Sequence, residues 1–187
     1  MIHSEAMAKM DQFEFMGNFL MLIVAGNDTT RHTMSGIAYS LNKYPEQRAS
    51  LEADPSLIPM ATCEFIRWQT PISHLRRTAL IDTELDGNHI KSGDKVVLWH
   101  ISGNRDESVF LNAESLILDR DNARRHVSFG YGIHRCIGAR LAELQVSVLL
   151  EEMSKRRMRV NVLEEPVRVA SCLINGYKKM MVELVNY

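Results

Sequence analysis

The sequence is poor in the features that announce an extracellular, membrane or nucleic-acid-binding protein. Its three cysteines, Cys63, Cys136 and Cys172, cannot all pair with one another, and none forms the close C-x-x-C spacing of a structural zinc site. A reducing compartment is the simpler reading. Charge of one sign is not in excess, with 22 Lys and Arg against 23 Asp and Glu, and basic clusters such as Arg156-Arg157 are short. Nothing in that balance points to nucleic acid or an anionic membrane. Long hydrophobic runs are missing too: Phe19 to Ala25 falls far short of the ~20 residues a membrane span needs. The opening Met1-Ile2-His3-Ser4-Glu5 has neither the basic nor the apolar region of a secretory leader, so the expected location is the cytoplasm. No repeat, low-complexity tract or linker is evident. What remains is a chain of 187 residues, 45% hydrophobic and 24% charged, which is the composition of one globular domain with a sizeable core.

No proline interrupts Met10 to Tyr44, and apolar residues occupy most sides around Phe19 to Val24, so a long helix buried in the middle of a protein is predicted there. Pro45 closes it. A short helix follows from Pro45 to Leu51, ended by Asp54-Pro55, and a third from about Leu57 to Gln69, stopped by Pro71. Short strands are predicted at His74–Leu80, Thr83–Leu85 and Lys95–Ile101, punctuated by Asp86-Gly87 and Ser92-Gly93. Residues 103–135 show little periodicity, an irregular stretch of a length that usually serves a function. Ile137 to Lys155 reads as an amphipathic helix. Strands near Met158–Leu163 and Val167–Leu173, then Asn175-Gly176 turning into Tyr177–Leu184, complete the chain. The fold class is mainly α with small β hairpins.

The most informative segment is Phe129-Gly130-Tyr131-Gly132-Ile133-His134-Arg135-Cys136-Ile137-Gly138. A sulfur at a helix N-terminus faces unpaired backbone N–H groups and the positive end of the helix dipole, which favours a thiolate that can ligate a metal. Gly130, Gly132 and Gly138 remove side chains where backbone approaches a flat group or adopts positive φ. His134 can reach a carboxylate at the rim of a cofactor. Taken alone, Cys136 would be an inert, buried small hydrophobe. The decapeptide resembles the cysteine-ligand loop of the cytochrome P450 family, and other motifs of that family follow its order along essentially the whole chain. The resemblance implies haem b (iron protoporphyrin IX), with Cys136 as the metal ligand and Phe129, Gly130, Gly138, His134 and Arg77 around the cofactor.

Ala25-Gly26-Asn27-Asp28-Thr29-Thr30 breaks an apolar helix with a glycine, an acid and a hydroxyl. Gly costs a helix interior about 1 kcal/mol relative to Ala, an unpaired buried carboxylate costs more, and a Thr bonded to the preceding turn bends the ladder. A solvated face or a helix cap accounts equally well for these residues in isolation. The family resemblance makes Asp28 and Thr29 the acid–alcohol pair that delivers protons to dioxygen, beside a groove where the helix is distorted.

Glu64 and Arg67 share a helix face. Most such pairs are surface contacts worth 0 to ~1 kcal/mol. Here Glu64-Phe65-Ile66-Arg67 is similar to the family's structural E-x-x-R pair, with Arg120 as third partner, although Glu114-Ser115-Leu116 departs from the aromatic usual nearby. The resemblance sets Arg77 against a haem propionate, with Arg76 as competitor, and offers His126 as a further contact. It assigns Ala25, Gly26, Ile72, Ser73 and Leu75 to the substrate pocket; without it they are ordinary core residues.

Thiolate ligation pushes electron density onto iron and favours O–O cleavage. No dinucleotide, flavin or iron–sulfur motif is present, so the implied partners are a ferredoxin and its NAD(P)H-dependent reductase, together with O2 and a hydrophobic small-molecule substrate. Gly26-Asn27-Asp28-Thr29-Thr30-Arg31, Ile66-Arg67-Trp68-Gln69-Thr70-Pro71, Ser102-Gly103-Asn104-Arg105-Asp106 and Arg140-Leu141-Ala142-Glu143-Leu144-Gln145 look like the bacterial alkane terminal hydroxylases. Fatty-acid, sterol or terpene hydroxylation, or a non-catalytic haem-binding homologue, are the alternatives. The family's N-terminal helices have no counterpart here, so residues 1–187 are expected to be the haem-binding C-terminal half of a catalytic domain.

Overall fold

The structure, a computed structural model, describes residues 3–5 and 7–187. Helix α1 (Gln12–Lys43) starts where the Asp11 carboxylate accepts the Phe13 and Glu14 N–H groups and stops at Tyr44, ahead of Pro45. Pro45 opens α2 (Pro45–Ala53), where a missing N–H costs nothing. Helix α3 (Ile58–Gln69) ends on Thr70, which takes φ 41°. All residues from Ala61 to Thr70 are buried, so α3 is the hub of the molecule. Phe65 and Trp68 pack with Ile37 and Leu41 of α1, with Leu116 and Leu118 of the irregular stretch, and with Val146 and Leu150 of α5 (Ala139–Lys155).

Four antiparallel strand pairs accompany this helical core among the described residues. β1 (His74–Thr78) pairs with β4 (Lys95–Trp99), and between them lies the hairpin of β2 (Thr83–Leu85) and β3 (Asn88–Ile90). That hairpin turns at Asp86 and Gly87, with φ 50° and 74°, the two positive angles a two-residue loop of this hand requires. β5 (Met158–Val162) pairs with β8 (Val182–Asn186), enclosing the shorter pair of β6 (Val167–Arg168) and β7 (Tyr177–Lys179). A one-turn helix α4 (His100–Gly103) follows β4. The chain is therefore mainly helical with small antiparallel strand pairs, and no helix among the described residues is long and apolar enough to cross a membrane.

Several expectations are corrected. The segment Phe19 to Val24 is helical but exposed, because no described element packs on that part of α1. The helix runs without interruption through Ala25–Thr30: the Thr29 hydroxyl donates to the Ala25 carbonyl at 2.7 Å without opening the ladder. β4 stops at Trp99 because His100 and Ile101 already turn into α4. The strand expected over Val167–Leu173 keeps only two residues, the rest being drawn into a loop bonded to Pro71 and Ser73. Tyr177–Leu184 divides into two strands that pair with different partners.

The centre of α3 carries the costliest groups in the core. Glu64 and Arg67 have no exposed side-chain surface. Removing one member strands the other charge, so Arg67→Ala is expected to cost about 3–5 kcal/mol, read as a fall in the urea unfolding midpoint. Arg67→Lys recovers little of it, because an ammonium cannot reproduce the guanidinium fork.

Candidate functional site

Construction of the site begins at the buried pair. Arg67 donates Nε to Glu64 Oε2 at 2.7 Å and Nη2 to Oε1 at 2.8 Å, and its other N–H groups go to the carbonyls of Asn104, Ala113 and Ser115. Arg120 Nε lies 3.2 Å from both Glu64 oxygens while its remaining donors hold the Leu111, Asn112 and Ser115 carbonyls. Backbone itself supplies the support around Glu114-Ser115-Leu116. Between Asn104 and Ser115, two guanidinium groups thus supply hydrogen bonds that regular secondary structure would otherwise provide.

Asn104 carries that order to the cysteine loop. Fully buried, it donates to Thr70 Oγ1 and Ser128 Oγ and accepts the Val127 N–H at 2.7 Å. Ser128 Oγ in turn donates to the Ile66 carbonyl of α3. The loop then folds on itself: Gly130 N bonds to Val127 O, Arg135 N to Gly132 O, and Cys136 N to Phe129 O at 2.8 Å. Gly130 and Gly132 take φ 67° and 73°, which explains both glycines. Gly138 has negative φ, and a Cβ there would touch only Cys136 Sγ at an ordinary 3.8 Å, so nothing within the chain itself demands that glycine. Nothing in the sequence marks Asn104 as a site residue, because a lone Asn in an aperiodic stretch gives no signal of being buried.

Cys136 is exposed in front of α5, whose first turn has no side-chain cap. Around it Tyr131, Ile133 and Ile137 stand 87%, 97% and 94% exposed, far more than such residues usually are, and Leu141, Leu144 and Val148 extend the apolar surface along α5. On α1, Ala25 and Gly26 are open, and Asp28 and Thr29 are half-buried. Asp28 Oδ1 is paired with Arg31 Nη2 at 3.0 Å.

On β1, Leu75 and Arg76 are exposed and Arg77 is half-buried, its Nη1 on the Arg76 carbonyl. Ile72 is bridged to Ile174, and Ser73 is buried with its N–H on the Leu173 carbonyl. Ser73 lines an open cavity of about 700 Å³ that also meets Lys43, Arg105 and Arg168. Among the described residues no hydrogen bond or ion pair joins Arg77 or His134 to Cys136 or to each other.

Known proteins decide the family. The family model described as Cytochrome P450 matches residues 56–159. The chain belongs to the cytochrome P450 family. Its relatives include linalool 8-monooxygenase of Pseudomonas putida, 44% identical over 92% of this chain and 42% of that protein. A methyl-branched lipid omega-hydroxylase of Mycobacterium tuberculosis is 40% identical over 90% of the chain and 40% of its own length. Among solved P450 structures, CYP153D17 from Sphingomonas sp. PAMC 26605 is 67% identical with TM-score 0.95, covering 100% of this chain and 46% of that one. Cytochrome P450-153 from Novosphingobium aromaticivorans is 62% identical with TM-score 0.96, over 99% and 47%. The chain therefore spans less than half the length of these P450 relatives.

The residues present fit the haem the family implies. Cys136 offers one exposed sulfur as a metal ligand. Exposed Ile133 and Ile137 offer an apolar surface to a flat macrocycle, and Arg77 with His134 supplies donors suited to carboxylates.

His126 lies behind the loop, its ring 5.3 Å from that of Phe129 and its Nδ1 accepting the Ser128 N–H. Burial first, then the charges of Arg135 and Arg67, pushes its pKa from 6.5 down to about 4. The folded pKa is below the unfolded one, so unfolded chains take up the proton first as pH falls. Stability from this residue is full above about pH 6.5 and is lost progressively toward pH 4. His126→Phe should flatten the fall in urea midpoint across that window; an unchanged slope would remove His126 as its source.

Proposed function

We propose that the chain is the haem-binding C-terminal portion of a longer haem-thiolate monooxygenase, which inserts one oxygen atom of O2 into an unactivated C–H bond. The observation that carries this reading is the exposed Cys136 thiol at the mouth of a rigidly braced P450 cysteine loop, flanked by uncovered apolar side chains. Thiolate-ligated haem iron supplies dioxygen activation when bound. Cys136 Sγ would hold the iron, Phe129 and Gly130 would border the group, and Arg77 and His134 would take its carboxylates.

Proton supply falls to α1. The Thr29 hydroxyl, parked on the Ala25 carbonyl, can turn its O–H toward the open side of the helix at the cost of one hydrogen bond. Asp28, held by Arg31 and half-exposed, replenishes that proton from solvent. Ala25, Gly26, Ile72, Ser73 and Leu75 line the substrate side. One oxygen atom leaves in the hydroxylated product and the other as water, consuming two protons and two electrons. The electrons come from NAD(P)H through a ferredoxin and its reductase.

The proposed substrates are medium-chain alkanes oxidised at the terminal carbon. Support comes from the four motifs that look like bacterial alkane hydroxylases and from a relative named as an omega-hydroxylase of a methyl-branched lipid. In the full-length protein that carries this chain, the reduced carbon monoxide complex should show a strongly red-shifted Soret band that disappears in Cys136→Ala. A band that survives the substitution overturns the ligand assignment. Incubation with octane, a fatty acid, a sterol and linalool, with mass-spectrometric location of the hydroxyl, separates the substrate classes.

Thr29→Ala should cut product formed per NAD(P)H about tenfold or more while electron uptake continues and peroxide is released, as loss of a positioned proton donor requires. Full coupling in that variant removes Thr29 from the mechanism.

A further inference from the structure

The face of α1 that presents Ala25 and Thr29 continues at helical spacing through His32, Thr33 and Gly36. Its beginning is open and its end is buried. Thr33 Oγ1 donates to the Thr29 carbonyl at 2.9 Å, tying the two turns together. His32 is 3% exposed, and its Nδ1 accepts the Tyr177 N–H at 3.3 Å. A Cβ on Gly176 would overlap the His32 ring, and one on Gly36 would overlap the Gln69 amide. Neither glycine has positive φ; both are required by close approach.

Beyond these contacts lie Ile72 and Ser73, which the proposed function sets on the substrate side. Gln69 and Asn175 exchange hydrogen bonds, Nε2 to the Asn175 carbonyl at 2.7 Å and Nδ2 to the Gln69 carbonyl at 2.5 Å, and the Tyr177 hydroxyl donates to Gln69 Oε1. Asn175 N bonds to Pro71 O, Ser73 N to Leu173 O, and Ile72 is bridged to Ile174. The loop 173–177 is thus welded to residues 69–73 on one side and touches α1 through His32 on the other.

We propose that His32 and Gly176 form a register lock that fixes the Thr29 turn of α1 against the Ile72–Ile174 pair, and so selects which substrate carbon is oxidised. The proposal rests on the monooxygenase reading above. Helix α1 advances 1.5 Å per residue, and a shift of about 1 Å at a reacting centre can cost ~100-fold. A contact with no room for a methyl group resists such a slip. Burial lowers the His32 pKa, reinforced by Arg31 and opposed by Asp28, which keeps Nδ1 free to accept. In that neutral form Nε2 carries the proton, so the 3.4 Å approach of Arg31 Nη2 to Nε2 is a contact between donors and adds no bond. His32 and Gly176 are positioning residues and touch no reacting atom.

The test uses the haem-loaded full-length protein with octane as probe. Gly176→Ala and His32→Leu should retain the carbon monoxide band, weaken the substrate-induced Soret shift, and move hydroxylation from the terminal to internal carbons, with a change in product ratio of about tenfold, equivalent to ~1.4 kcal/mol. His32→Gln, which keeps an acceptor, should restore most of the terminal product. Hydrogen–deuterium exchange of the 171–179 segment should rise in His32→Leu and return in His32→Gln. An unchanged product ratio and Soret shift in both disruptive variants, with faster exchange or without it, overturns the proposal. Loss of the carbon monoxide band already in the unsubstituted protein sinks the monooxygenase reading instead, and the exchange comparison then still decides whether the lock exists.

Discussion

The Glu64 carboxylate, enclosed by Arg67 and Arg120, is the constraint on which the rest of the molecule depends. Three charges without water around them are tolerable only if almost every donor and acceptor is used. Glu64 accepts from both guanidinium groups and from Ile117 N–H, and the arginines spend their spare donors on carbonyls between Asn104 and Ser115. A stretch with few regular hydrogen bonds of its own is thereby given partners. The charge cluster is better understood as a specification of loop geometry than as a source of net stability, since apolar replacements of a buried cluster are often no less stable.

From that cluster order passes to Cys136 through very few links: Arg67 to Asn104, Asn104 to Val127 and Ser128, Ser128 back to Ile66, and Phe129 to the Cys136 N–H. After Arg67, every link uses backbone or a short polar side chain, groups with little rotamer freedom to lose. Rigid support behind the thiol contrasts with the uncovered side chains in front of it. A ligand that must project from a protein surface gains its precision from the shell behind it.

Much of this was legible in the residues. Prolines 45, 55 and 71 mark real boundaries, and Asp86-Gly87 makes its turn, because these residues act through their own backbone preferences. The E-x-x-R pair and the cysteine loop could be read through resemblance, whereas Arg120 was settled only by its distance to Glu64. Other features depend on tertiary contacts that no local pattern encodes. The apolar texture of Phe19–Val24 signals burial, yet within this chain it is exposed. β3 has no local signal, since Asn88-His89-Ile90 lacks strand-forming alternation and is held by pairing with β2. Val167–Leu173 has strand-like composition, but Ser171 and Leu173 bond elsewhere.

Helix α1 shows why a single covalent anchor is sufficient for a site of this kind. One bond from Cys136 fixes the distance of a bound group but not its rotation about that bond. On the proposed reading, rotation would be set by contacts far from the sulfur, of two sorts: polar ones at Arg77 and His134, and a helix whose open half, Ala25 to Thr29, is continuous with a half buried against Gln69 and Gly176. The buried half lets the open half be rigid without being covered. The proposed mechanism can then use Gly26, Asp28 and Thr29, poor choices for a helix on local grounds, because the stability of α1 is secured by Ile37, Ser40 and Leu41 at its other end.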